Sequence, residues 1–281
     1  MRKQPRSFTP GLEQIRSGMT RRYAVLGSPI DHSKSPIIHQ AAFAALGVDA
    51  EYSRVELASG LAEWVANLGS DWSGLSLTMP LKELALALAT RADSLAISTG
   101  AANTLIREDG GWDAYNTDVF GIQRAVAGLR FKTVGVIGSG ATARSAIVAM
   151  QEMDKDIQIW ARNAPAVKSL CAEFGITPVD RFYKAANAEL VISTLPSRAL
   201  DSYLEEIRGT PTSTLLDVAY DPWPSKAAEA WGLNKVISGI EMLIWQAVGQ
   251  QRLFAGNGLE EPLENEKELV LAIRKALEMA K

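Results

Sequence analysis

The sequence predicts an α/β protein of two domains, each built on a sheet whose strands run mostly parallel, with helices closing the chain. Three observations predict it. Short runs rich in β-formers alternate with amphipathic stretches through the first 118 residues, the pattern of βαβ units. A second series then opens on a strand that passes through a glycine turn into a helix. Past residue 239 the strand pattern stops, and two helical stretches finish the chain.

In the first series, strands are expected at 22–27, 51–56 and 74–78, and helices at 36–46, 61–68 and 81–89. Strands at 103–107 and 112–116 flank Glu108-Asp109-Gly110-Gly111, a turn signal that predicts a hairpin at one edge of the sheet. The second series begins with Thr133-Val134-Gly135-Val136-Ile137, a buried strand, followed by Gly138-Ser139-Gly140-Ala141-Thr142-Ala143 and a helix running to about Met153. Strands follow at 157–161, 190–194, 215–219 and 235–238, which makes this sheet doubly wound. Helices at 240–254 and 264–279 are placed back on the first domain, so that domain is discontinuous: residues 21–118 with 240–281, against 119–239 for the second. Residues 1–20 are polar, contain Pro5 and Pro10 and read as a mobile tail, with Met19 standing where an alternative start would lie.

Composition narrows the function. At 281 residues the chain exceeds the usual single core. A net charge of −3 argues against nucleic acid as a partner. No uncharged apolar stretch approaches the roughly 20 residues that cross a bilayer, and the N-terminus lacks the apolar run of a signal peptide, so a cytoplasmic protein is expected. The single Cys171 excludes an internal disulfide, and with only His32 and His39 beside it no metal centre is expected. Trp223, Trp231 and Trp245 are assigned to core packing near the domain junction.

Gly138, Gly140 and Ala143 fit the G-x-G-x-x-A form of the dinucleotide fingerprint: a tight turn, close backbone approach to a pyrophosphate, and close packing of helix on strand. Ser139, Ala141 and Thr142 complete the turn and the first helical N–H groups, which favour phosphate. The next strand ends in Ile159-Trp160-Ala161-Arg162-Asn163, without the acid that holds an adenine ribose diol. Arg162 stands where a guanidinium pairs with a 2'-phosphate, so NADP is the expected cofactor.

Four further segments combine polar groups with backbone punctuation. In His32-Ser33-Lys34-Ser35-Pro36, Pro36 at the first helical position with Ser35 as cap explains that serine structurally, and two hydroxyls two residues apart equally suit a polyol or a carboxylate. In Ser76-Leu77-Thr78-Met79-Pro80-Leu81-Lys82, the lysine falls in a first helical turn, where the macrodipole disfavours a cation, a placement that suits acid–base work. The other two are Gly100-Ala101-Ala102-Asn103-Thr104 and Asn116-Thr117-Asp118. Crevices of such sheets lie at strand carboxyl ends, where Lys82 and Asp118 can meet.

These segments, with Asp217-Val218-Ala219-Tyr220-Asp221-Pro222 and Gly239-Ile240-Glu241-Met242-Leu243-Ile244-Trp245-Gln246, resemble the motifs of the shikimate dehydrogenase family, in the family's order and from about Tyr23 to the C-terminus. The resemblance implies an N-terminal substrate domain, a Rossmann-type NADP-binding domain and reversible NADPH-dependent reduction of 3-dehydroshikimate to shikimate, a step of aromatic amino acid biosynthesis. It implies that Ser33, Ser35, Thr78, Asn103, Asp118, Tyr220 and Gln246 bind substrate. Lys82 with Asp118 is the implied catalytic pair, and Val218 and Gly239 the implied flanks of the nicotinamide. Ser76 stands where the family motif has asparagine, and Asn163 where threonine is common. An NAD-preferring quinate/shikimate dehydrogenase or a side-pathway paralogue is the alternative within enzymes, and a non-catalytic nucleotide-binding sensor the alternative outside them. A monomer or a homodimer is expected.

Overall fold

The structure, a computed structural model, describes residues 20–207 and 211–280. The expected tail and its Met19 lie outside the described residues but for Thr20.

The first half contains β1 (Arg21–Gly27), α1 (Ser35–Leu46), β2 (Ala50–Glu56), α2 (Leu61–Ala66), β3 (Trp72–Leu77), α3 (Lys82–Leu88), β4 (Arg91–Ala92), α4 (Ser94–Thr99), β5 (Thr104–Glu108), β6 (Gly111–Tyr115) and α5 (Thr117–Val126). Their strands form one six-stranded sheet in the order β2-β1-β3-β5-β6-β4. β1 pairs parallel with β2 and β3, while β5 runs antiparallel to β3 and β6. Alternate residues of β1 serve opposite cores, as the two-residue period of a strand requires. Tyr23 and Val25 pack with Phe43 of α1 and Tyr52, whereas Ala24 and Leu26 join Leu75, Leu77 and Leu105 on the other face.

The expected hairpin forms, with Glu108 paired to Gly111 across a two-residue turn. It is not the edge of the sheet. The two-residue β4 pairs parallel to β6 outside it, tied by a fork of Arg91 on Asp113 at 3.0 and 2.7 Å. A strand of two residues has no periodicity, which is why nothing in the pattern marked it.

The second half contains β7 (Thr133–Ile137), α6 (Ala141–Glu152), β8 (Asp156–Trp160), α7 (Ala164–Phe174), β9 (Thr177–Pro178), α8 (Phe182–Ala186), β10 (Leu190–Ser193), β11 (Thr214–Asp217), α9 (Lys226–Trp231) and β12 (Val236–Ser238). All strands are parallel, in the order β12-β11-β10-β7-β8-β9. The order reverses between β7 and β10, so a ligand crevice opens at their carboxyl ends. Gly135 of β7 allows α8 to approach: a Cβ there would stand 1.9 Å from the Ala185 carbonyl oxygen.

The chain returns through α10 (Gly239–Phe254) and α11 (Glu266–Met279). Leu269, Ile273 and Leu277 repeat at four-residue spacing down one side of α11 and pack with Ile38 and Ala42 of α1, Phe120 of α5 and Val248 of α10. Arg252 clamps α10 to the start of α11 with two bonds of 2.7 Å to Glu266. The three tryptophans divide: Trp231 is fully buried in the second half and donates to Ser213 Oγ at 3.0 Å, Trp245 is partly buried under the Arg124 guanidinium, and Trp223 is exposed. Trp223 therefore departs from the core packing expected of it, on the proline-rich stretch Asp221-Pro222-Trp223-Pro224, which runs over the surface.

Candidate active site

Two strand ends and one strand start meet at one edge of the first sheet. β3 and β6 both run against β5, so the segments after β3 and β6 arrive beside the segment that precedes β5. The first carries Thr78 and Lys82, the second Asn116 to Asp118, the third Asn103. α3 begins at Lys82 and α5 at Thr117. Asn116 caps α5, its side-chain oxygen accepting from the Asp118 N–H at 3.0 Å, while its amide group donates to Thr99 Oγ1 at 2.8 Å and the Ala101 carbonyl at 2.9 Å. A cap held at both ends in this way sets the direction of Asp118.

Lys82 Nζ donates to Asp118 Oδ2 at 2.5 Å, with the Asp118 side chain only 1% exposed and that of Lys82 13%. Asn103 Nδ2 donates to the other carboxylate oxygen, Oδ1, at 2.8 Å. These two donors offset the hydration the carboxylate has lost. The pair opens on a cleft of about 170 Å³ between the two sheets. Ser33, Ser35 and Thr78 line it from the first sheet; Thr142, Val218, Tyr220 and Gly239 line it from the second; Gln246 reaches it from α10. Burial pushes the Tyr220 hydroxyl above its ordinary pKa.

Asn103 is the one expected substrate residue that does not line the cleft. It lies behind Asp118, 1% exposed, with Oδ1 accepting the Thr117 N–H at 2.9 Å and Nδ2 also reaching Thr117 Oγ1 at 3.0 Å. Ser35 is not the cap of α1. Lys34 occupies that position without a side-chain bond, Ser35 is already helical with Pro36 after it, and Ser33 Oγ accepts the Ser35 N–H at 3.3 Å. The Ser33 turn starts the helix one residue early, and proline suits its second position as well as its first, since both N–H groups lack an intrahelical partner. Both serine side chains are thereby set beside the cleft. Ser76 lines it too, and accepts from the Tyr52 hydroxyl at 2.5 Å, so the residue that replaces the family's asparagine is anchored to the sheet.

At the crevice of the second sheet, Gly138 has φ +126°, and a Cβ there would stand 2.2 Å from Thr194 Oγ1, so only glycine fits. Gly140 precedes α6 and faces open space. Ser139 and Ala141 flank it in the turn, partly exposed, and Thr142 carries the first helical turn into the cleft. Arg162 is exposed just past β8 and, among the described residues, joins none of the ion pairs. Asn163 caps α7, accepting the Ala166 N–H at 3.2 Å. Open space over Gly140, unpartnered N–H groups in the first turn of α6 and an unpaired cation at the end of β8 fit a phosphorylated dinucleotide. Among the described residues no cluster of His, Cys, Asp and Glu could hold a metal, and no helix is long and apolar enough to cross a membrane.

A sequence model of the shikimate dehydrogenase substrate binding domain matches residues 25–105, and one described as NADP oxidoreductase, coenzyme F420-dependent, matches 133–220. The shikimate dehydrogenase (NADP(+)) of Thermus thermophilus is 32% identical over 260 residues, which are 85% of this chain and 96% of that protein. The enzyme of the same name from Methanococcoides burtonii is 32% identical over 269 residues, 90% of this chain and 98% of its own. The chain belongs to the shikimate dehydrogenase family. Solved members share its fold: the Mycobacterium tuberculosis shikimate dehydrogenase superposes with a TM-score of 0.79 at 37% identity, over 91% of this chain and 99% of its own. The Thermus thermophilus shikimate 5-dehydrogenase, solved in complex with NADP(H) and shikimate, gives 0.76 at 29%, over 92% of this chain and 100% of its own.

Behind the pair of this family member lie four buried polar residues that were given no role from the sequence: His39, Gln250 and Gln251, outside every motif, and Thr104, the last residue of the Gly100–Thr104 segment. The available signals were a histidine four residues after Ser35 on the buried side of α1, and two glutamines inside the apolar α10. His39 Nε2 lies 3.0 Å from Gln250 Oε1, and its ring stacks on Tyr52 with centroids 4.2 Å apart. Burial pushes the imidazole down to about 3, against the opposing pull of Gln250.

His39 therefore stays neutral in the folded protein while the unfolded chain protonates it below about pH 6.5. Its contribution to stability is complete above that pH and is lost at about 1.4 kcal/mol per pH unit as pH falls towards 3. Asp93, pushed up to about 6 by burial, acts in the opposite sense, its contribution being lost as pH rises through 6. Urea denaturation of wild type and His39→Gln from pH 7 to 4 cancels the Asp93 effect. The variant should lose stability on acidification less steeply, by about 1.4 kcal/mol per unit; parallel curves would contradict a buried neutral imidazole.

Proposed function

We propose that this protein reversibly reduces 3-dehydroshikimate to shikimate with NADPH, in the cytoplasm, and that residues 21–118 with 240–281 form the substrate domain and 119–239 the cofactor domain. The observation that carries the reading is the Lys82–Asp118 pair, 2.5 Å apart, facing Thr142, Val218 and Gly239 across the cleft.

NADPH, when bound, supplies the hydride that reduces the ketone carbon. Gly138, Ser139, Gly140, Ala141 and Thr142 hold its pyrophosphate, Arg162 and Asn163 its 2'-phosphate, and Val218 and Gly239 the ring. Ser33, Ser35, Thr78, Tyr220 and Gln246 bind the carboxylate and hydroxyls of the substrate. As the carbonyl carbon gains a hydrogen, its π electrons move to oxygen, and Lys82 hydrogen-bonds that oxygen and then gives it a proton from Nζ. The neutral amine left behind runs the oxidation in reverse by taking the hydroxyl proton. Asp118 orients Nζ throughout and accepts from a neighbouring substrate hydroxyl. Asn103 holds Asp118. No step requires a metal.

The test is an absorbance assay at the NADPH band with shikimate and with quinate, each against NADP and NAD. Turnover should be fastest with shikimate and NADP; turnover with neither acid would overturn the reading. In that assay Lys82→Ala should lower kcat by about three orders of magnitude while changing substrate KM modestly, the behaviour of a group used in the transition state. Near-normal turnover would remove Lys82 from the mechanism. Arg162→Ala should raise KM for NADP about tenfold or more, the loss of one charge-assisted pair, and leave NAD use little changed. Equal effects on both cofactors would reject Arg162 as the phosphate partner.

A further inference from the structure

The carboxylate of Asp118 stands at one end of a buried hydrogen-bond chain that crosses from α10 to the first sheet. Asn103 Nδ2 donates to Asp118 Oδ1 at 2.8 Å. Thr104 Oγ1 lies 2.9 Å from Asn103 Oδ1, and Gln250 Nε2 donates to Thr104 Oγ1 at 2.9 Å. Gln250 Oε1 lies 3.0 Å from His39 Nε2, and Gln251 Nε2 lies 2.8 Å from His39 Nδ1. No residue from His39 to Asp118 along this chain is more than 1% exposed.

The direction of every bond is determined. Asn103 Oδ1 accepts the Thr117 backbone N–H at 2.9 Å, so its amide cannot be flipped. The Thr104 hydroxyl has one hydrogen. Gln250 Nε2 also reaches the Asn103 backbone carbonyl at 3.4 Å, which orients its amide; as Nε2 can only donate to Thr104, the hydroxyl hydrogen goes on to Asn103. Gln250 Oε1 can only accept, so His39 carries its hydrogen on Nε2, leaving Nδ1 to accept from Gln251. This is the neutral imidazole that burial enforces. All the donors thus point from α10 towards the active-site carboxylate, and bonds aligned in this way polarise one another.

Gln250 also meets the cleft. Gln246 Nε2, one turn earlier on α10, lies 3.5 Å from Gln250 Oε1, and Gln246 lines the cleft. One side chain therefore links a cleft residue to the group that holds Asp118.

We propose that Gln250 is a positioning residue for the reaction: through Thr104 it fixes the Asn103 amide on the Asp118 carboxylate, so that the lysine–aspartate pair is assembled only when α10 is seated against the sheet. This rests on the oxidoreductase reading of the site. Gln250 touches neither substrate nor cofactor and acts through the donors it aligns.

Gln250→Glu is nearly isosteric and keeps the His39 bond, but a carboxylate cannot donate to Thr104. The Thr104 hydrogen then turns towards residue 250 and away from Asn103. The expected result is a fall in kcat of about tenfold or more, the loss of one hydrogen bond in a charged network, with KM for NADP unchanged. Thr104→Val should reproduce the fall by deleting the hydroxyl at constant shape, and Thr104→Ser should restore kcat. A structural role in packing would move the serine variant as well and would not separate kcat from KM.

Retention of wild-type kcat by Gln250→Glu or Thr104→Val would overturn the proposal; if the glutamate variant does not fold, the threonine pair decides. A readout without substrate separates this inference from the function itself. In ¹H–¹⁵N spectra the Asn103 side-chain amide signals should move in Thr104→Val and stay in place in Thr104→Ser, even if the wild-type protein proved inactive on shikimate. Unmoved signals in the valine variant would overturn it.

Discussion

A charge removed from water must be compensated where it sits, and in this structure that charge is the carboxylate of Asp118. At 1% exposure it has almost no solvent, and the 2.5 Å bond from Lys82 with the 2.8 Å bond from Asn103 takes the place of hydration. A lysine–aspartate pair with its carboxylate buried is costly unless its geometry is held, and the surrounding elements hold it. The cap by Asn116 aims the aspartate. The start of α3 brings the lysine, and the reversal of β5 brings the asparagine to the same edge as the ends of β3 and β6. A uniformly parallel sheet would have placed Asn103 at the opposite end.

The same edge is where the two halves of the molecule are joined. The Asn116 amide that caps α5 also reaches Ser145 Oγ at 3.2 Å, and Arg144 donates to the Thr99 carbonyl from the same turn of α6. α6 is the helix that starts at the glycine turn, so that helix and the asparagine that orients Asp118 share a buried contact. α10 completes the arrangement from the other side, starting at Gly239 in the cleft and ending beside the His39 and Tyr23 rings through Phe254. The Lys82–Asp118 pair, the start of α6 and the start of α10 therefore meet within a few residues, and substitutions there act on more than one of them.

Long periodic elements were legible in the sequence, and so were residues whose identity is forced by backbone geometry. The strand–glycine–helix opening at 133–143, the doubly wound order and the two closing helices follow from patterning, because each spans enough residues to show a period. Lys82, Asp118, Ser33 and Thr78 lie in short segments with turn chemistry that a sequence displays directly, whereas Tyr220 and Gln246, the latter in the middle of α10, came from the family resemblance. What stayed hidden depends on long-range pairing. The two-residue β4 exists only as a partner of β6, and Trp223 reads like its buried counterpart Trp231 until the chain is folded. Ser35 satisfied a local rule for caps that the Ser33 turn overrides. Gln250 belongs to no turn or cap, and its part is visible only once α10 lies across Thr104, 146 residues away in the chain.

The account depends on Lys82 and Asp118 acting as one unit rather than as two independent contributors. A double-mutant cycle on kcat/KM for shikimate oxidation, with Lys82→Met, Asp118→Asn and the double variant, measures this most directly. If the pair is a unit, the double variant should be no worse than the lysine variant to within about threefold. Losses that multiply, so that the double variant shows the product of the two single defects, would contradict it.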